Sequence, residues 1–132
     1  MGVFLRVIVA AFLLEVAITA VALPVGFIFG NPLQAAGGPP VNGTVYFVVV
    51  AIACLVLGVV FGGWAVRKER SGFALKGLLV GVCAMAMYFG LCSLAPGGLA
   101  AVIAGYGAPM FVTFNVLRTV GCIVGAIRKG AR

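Results

Sequence analysis

The stretch FLLEVAITAV, residues 12–21, sets one carboxylate, Glu15, inside an otherwise apolar run, and FNVLRTVGC, residues 114–122, sets one guanidinium, Arg118, inside another. A lone charge in hydrocarbon costs a few kcal/mol, so such residues are expected to find a partner or to line a route for protons or ions. Asn115, Arg118, Thr119 and Cys122 follow i, i+3, i+4, i+7 spacing and make one polar stripe, and Thr19 lies one turn beyond Glu15 on the same face. Glu15 is nine residues beyond Arg6 and Arg118 ten before Arg128. At 1.5 Å per residue both sit about 14–15 Å from the basic ends of their segments, at one level. The spacing predicts that the first and fourth spans are adjacent and that Glu15 pairs with Arg118. Asn115 and Thr119 would fill the remaining hydrogen-bonding positions. An unpaired Glu15 would instead be able to take up and release protons.

Other chemistry is poorly provided for. There is no His, the second acid is Glu69 in a basic loop, and no Ser or Cys has an evident base, so no acid/base pair, triad or metal site can be assembled. The chain is not expected to be an enzyme or to carry a cofactor. Cys54, Cys83, Cys92 and Cys122 lack CxxC spacing and read as small apolar packing residues.

The elements that position Glu15 and Arg118 follow from hydropathy. Hydrophobic residues make up 64% of the 132, charged ones 8%, and the mean hydropathy is +1.30, far from the balance of a soluble domain. The expectation is an all-α integral membrane four-helix bundle, a single domain over 1–132 with spans near 7–29, 44–66, 73–94 and 108–127. The fourth apolar run begins at Leu99, and 29 residues would cover about 43 Å, too long for a straight crossing. GYGAP, Gly105 to Pro109, is where it should break or kink, leaving 98–106 as a short interfacial or re-entrant piece. Pro24 should bend the outer part of the first helix. Ala20-Val21-Ala22 resembles a signal cleavage site, but the apolar run continues through Phe29, so the segment is read as a retained span.

Nine Lys and Arg stand against two acids, and their placement tracks a membrane rather than nucleic acid. Arg6, the cluster Arg67, Lys68, Arg70 and Lys76, and the closing Arg128, Lys129 and Arg132 put both termini and the 67–76 loop on the cytoplasmic side of a bacterial inner membrane. Residues 31–43 and 95–98 then face outward. Tyr46 and Trp64 fit aromatic belts at the two interfaces. Arg67, Lys68, Arg70 and Lys76 are placed to contact anionic lipid headgroups. Gly26/Gly30, Gly58/Gly62, Gly77/Gly81 and Gly121/Gly125 recur at four-residue spacing, which lets helix backbones approach in lipid. The pairs 58/62 and 77/81 are expected to serve contacts within the chain.

At FGGWAVRKERSGFALKGLLVG, residues 61–81, the chain resembles small four-helix bacterial membrane proteins in which a second helix ends in Gly-Gly, Ala and basic residues and a third begins with Gly at intervals of four. The matching positions are Gly62, Gly63, Ala65, Arg67, Lys68, Gly72, Gly77 and Gly81. That resemblance implies a four-helix bundle and no activity. LLEVAIT also resembles the first helix of small multidrug exporters, which carries a membrane-embedded Glu, although the intramembrane Arg and the strong charge asymmetry depart from them. The expected function is an integral membrane structural, accessory or assembly protein, partnered by membrane lipids and by copies of itself or a larger membrane complex. The alternative is a small proton- or ion-coupled transporter or channel using Glu15 and Arg118.

Overall fold

In lipid a backbone must satisfy its own hydrogen bonds, and most of the described residues of this chain do so in helices. The computed structural model describes residues 2–30 and 43–132, so the connection at 31–42, including most of the loop expected to face outward, lies outside the described residues. Among the described residues five helices follow one another: α1 (Val3–Phe29), α2 (Gly43–Ala65), α3 (Phe73–Ser93), α4 (Gly98–Tyr106) and α5 (Ala108–Gly130). Four of them, α1, α2, α3 and α5, are long and apolar enough to cross a membrane. Their bounds extend the expected first span to Val3 and the last to Gly130, because Arg6, Arg128 and Lys129 are helical as well. Pro24 lies within α1.

The fourth apolar run is two helices. Gly107, at φ 82°, sits between α4 and α5 in a backbone region that residues with a Cβ rarely adopt. Pro109 follows within the first turn of α5, where its missing N–H removes no helical hydrogen bond.

Of the long helices, α1, α2 and α3 are apolar nearly all round and α5 carries the polar stripe, so for the first three hydropathy alone does not say which face turns inward. Small residues decide it. Gly58 and Gly62 of α2 meet α5 at Gly121 and Cys122, and Gly125 of α5 meets Val59 of α2. A methyl group at Gly58 would stand 2.8 Å from the Arg118 carbonyl oxygen, and one at Gly121 would stand 2.5 Å from that of Leu55. On the other flank of α5, a methyl at Gly77 of α3 would stand 2.6 Å from the Cys122 carbonyl oxygen, and one at Gly81 2.8 Å from the Thr119 Cα. The glycines at 58/62, 77/81 and 121/125 thus clamp α5 between α2 and α3 by contacts within the chain. Such approach replaces the hydrophobic driving force that lipid does not supply.

This clamping overturns one expectation. α1 packs on α2 and α3, α5 packs on α2 and α3, and α1 and α5 share no backbone contact. The first and fourth long helices are diagonal, because the glycine faces of both α2 and α3 are turned to α5 and leave α1 the opposite corner. Large apolar side chains cover the outside, among them Phe12, Val60, Leu75, Leu91 and Val116. Exposure on this scale is suited to lipid rather than water.

Candidate functional site

Among the described residues two polar centres stand out, one inside the bundle and one at its end. At mid-height Arg118 reaches across the diagonal from α5, and its Nε lies 2.9 Å from Glu15 Oε1 on α1. Both residues are buried, at 2% and 5% exposure. The Arg118 Nε–H is not aligned with the carboxylate, so the contact is an ion pair without a hydrogen bond between those atoms. The guanidinium is oriented by two further groups: Nη1 donates to Asn115 Oδ1 at 2.9 Å, and Cζ lies 4.7 Å from the centroid of the Tyr88 ring on α3. Asn115 is oriented in turn by donating Nδ2 to the Phe111 carbonyl oxygen at 2.9 Å. Three helices therefore determine where one charge sits.

Two supporting residues of the sequence expectation do not bond the pair. Thr119 donates its hydroxyl to the Asn115 carbonyl oxygen on its own helix and presents its carbon atoms to Gly81, so it contributes no hydrogen bond to the pair. Thr19 lines one cavity with Glu15 and Arg118, as its place on the Glu15 face implies, but it is exposed and makes no hydrogen bond with the pair. Hydroxyls on a helix readily bond the carbonyl a turn back, and for Thr119 that local partner is taken.

The sequence reading missed a cavity of about 170 Å³ that ends on the pair. Glu15 and Arg118 form its floor, and all three tyrosines of the chain, Tyr46, Tyr88 and Tyr106, line it. Tyr46 is therefore no belt residue: it is 2% exposed, its ring stacks on Tyr106 at 6.0 Å, and the two hydroxyls lie 3.0 Å apart. Sequence spacing gave no signal for this cluster, because the three tyrosines come from three different helices that only the packing brings together. Toward the opposite end the bundle is closed. Val7, Ala10, Ala11 and Leu14 of α1, Val80 of α3, and Cys122 and Ala126 of α5 are all buried there, at 4% exposure or less.

The second centre tops that closed end. Glu69, in the turn between α2 and α3, is ion-paired to Arg6 of α1 and to Lys76 of α3, the latter at 2.8 Å. Lys76 also donates to the Ser71 carbonyl oxygen at 2.6 Å. Lys76, expected at lipid headgroups, is thus directed to Glu69, the single acid within its reach; Arg67, Lys68 and Arg70 remain exposed. The hydrogen bond from Lys76, with the charges of Lys76 and Arg6, holds the Glu69 carboxyl below its ordinary value of 4.5, against the opposing effect of desolvation. A depressed folded-state pKa contributes stability that is full above the unfolded value and is lost as pH falls through the folded one. Unfolding in detergent between about pH 5 and pH 3 should therefore show a loss of stability that is smaller in Glu69→Gln. Parallel curves for the two proteins would remove Glu69 from the account.

No family model matches the chain, and no curated protein or solved structure matches it. The site must therefore be read from its own geometry.

Proposed function

We propose that the chain is a structural or accessory component of the bacterial inner membrane, an assembly subunit that holds both termini and its Arg6/Glu69/Lys76 end on the cytoplasmic side. The observation that supports this most is the closed half of the bundle. Below the ion pair, buried small and aliphatic side chains on α1, α3 and α5 fill the interior between Glu15 and the Arg6 end. A charge pair sealed on one side and tied to three helices acts as a fastener that selects one helix arrangement. Because the glycine faces are consumed within the chain, contact with copies or with a larger complex falls to the apolar outer surfaces of the bundle.

The cavity that reaches Glu15 and Arg118 from the tyrosine end favours a second reading, a small proton- or ion-coupled transporter. That reading requires the closed half to open in turn, which would pull α5 from the glycines of α2 and α3. Purified protein reconstituted in vesicles with an internal pH dye separates the two. The structural reading expects proton or cation leakage equal to that of protein-free vesicles under an imposed gradient. A flux present in the wild type and absent from a folded Glu15→Leu/Arg118→Met variant would replace it with the transporter reading.

A further inference from the structure

Arg67 and three cations some sixty residues further along the chain, Arg128, Lys129 and Arg132, converge on one groove. Arg67, at the end of α2, and Arg128, Lys129 and Arg132, at the end of the chain, edge a recess of about 480 Å³ between α2 and α5. Its walls continue into apolar surface at Val59 and Val60, and Gly63 and Gly125 let it run close to the two backbones. Trp64 lies in the recess, with the Arg67 guanidinium 5.0 Å from its ring centroid. The four cations form no ion pair among the described residues, and both acids of the chain are engaged elsewhere, Glu15 with Arg118 and Glu69 with Arg6 and Lys76.

We propose that this groove is a binding site for an anionic phospholipid, its phosphate held by Arg67, Arg128, Lys129 and Arg132 and one acyl chain laid along Val59 and Val60 between α2 and α5. Charge complementarity selects the headgroup, since unpaired cations in a recess attract phosphate and guanidinium groups match its oxygens with paired donors. The apolar floor selects a lipid over a soluble phosphate, because a free anion would leave Val59, Val60 and the Trp64 ring uncovered. Trp64 suits the junction of the two, with an apolar ring and a polar N–H. To the headgroup contact expected of Arg67 the groove adds the cations of the chain's last turn, a grouping made only by the packing of α5 on α2.

Trp64 is the chain's single tryptophan, so its fluorescence reports the groove alone. In nanodiscs of phosphatidylcholine, phosphatidylglycerol with brominated acyl chains should quench Trp64 at a lower mole fraction than brominated phosphatidylcholine does. Each cation neutralised should weaken that preference about five-fold, the factor equivalent to ~1 kcal/mol. Arg128→Gln/Lys129→Gln/Arg132→Gln should abolish it, and Arg132→Gln alone, beyond the end of α5 where folding is not at risk, should show the single step. Lys68→Gln/Arg70→Gln, outside the groove, should leave it unchanged. Equal quenching by the two lipids, or equal losses in the two multiple variants, would overturn the site. Displacement of the brominated lipid by soluble glycerol phosphate at the same concentration would overturn the lipid and leave a site for a free phosphate ester.

Discussion

Glu15→Leu should destabilise the bundle by about 3–5 kcal/mol, the range found when one partner of a buried ion pair is removed. The substitution leaves a guanidinium at 2% exposure without a counter-charge, beside the neutral Asn115 amide and the Tyr88 ring. Arginine cannot shed its proton, so the orphaned charge must either stay buried or pull α5 out of place. Arg118→Met should cost less, because a carboxyl left alone can become neutral by taking up a proton. The double variant Glu15→Leu/Arg118→Met removes both charges and should return to within about 1 kcal/mol of the wild type or exceed it, as apolar replacements of buried pairs do. Unfolding in mixed micelles, followed by helical circular dichroism for all four proteins, closes the cycle. If the two single losses simply add in the double variant, the 2.9 Å contact across the diagonal carries no coupling and the fastener reading falls.

The next largest loss is expected at the glycine seams. Gly62→Ala places a methyl 2.6 Å from the Cys122 Cα, and Gly77→Ala places one 2.6 Å from the Cys122 carbonyl oxygen on the other flank. In each case the obstacle is backbone, so the helices must part, and overpacking of this kind costs about 1–3 kcal/mol. Helix propensity offsets little of it, since a chain unfolded within lipid keeps its helices. Leu at either position should prevent the α2–α5 or α3–α5 contact outright. Gly90→Ala is the control: a methyl there meets nothing within 4 Å, and the change should stay within about 0.5 kcal/mol. Parting α2 from α5 also moves the Arg118 carbonyl, which abuts Gly58, so Gly58→Ala should weaken the Glu15 pair as well as the seam. A cycle between Gly58→Ala and Glu15→Leu measures that coupling, and additive losses would show the seam and the pair to be independent.

Much of this arrangement was legible beforehand, and the reasons are local. Helix length against bilayer thickness is a property of each segment, so four helices long and apolar enough to cross a membrane, and the interruption at Gly107, follow from runs of apolar residues and from GYGAP. Rise per residue is constant, so Glu15 and Arg118 are level whatever lies between them. Four-residue glycine spacing marks a face of close approach, and those faces are the seams of the bundle.

What residue spacing does not contain is which face meets which. In water an amphipathic stripe points to the core, but helices that are apolar all round give lipid and protein nearly the same claim on every face. The choice falls to a many-body fit of small residues, and only the assembled bundle makes it. With α5 clamped by Gly58, Gly62, Gly77 and Gly81, α1 is left at the far corner and the ion pair spans a diagonal instead of joining neighbours. The same fit gathers Tyr46, Tyr88 and Tyr106 around one cavity and directs Lys76 to Glu69. It also brings Arg67 beside Arg128, Lys129 and Arg132. The sequence by itself determined the class of protein, the helices and the depth of their charges, because these depend on each segment alone; the tertiary structure decided the partners, because partnership in lipid depends on shapes that meet only when all four helices are in place.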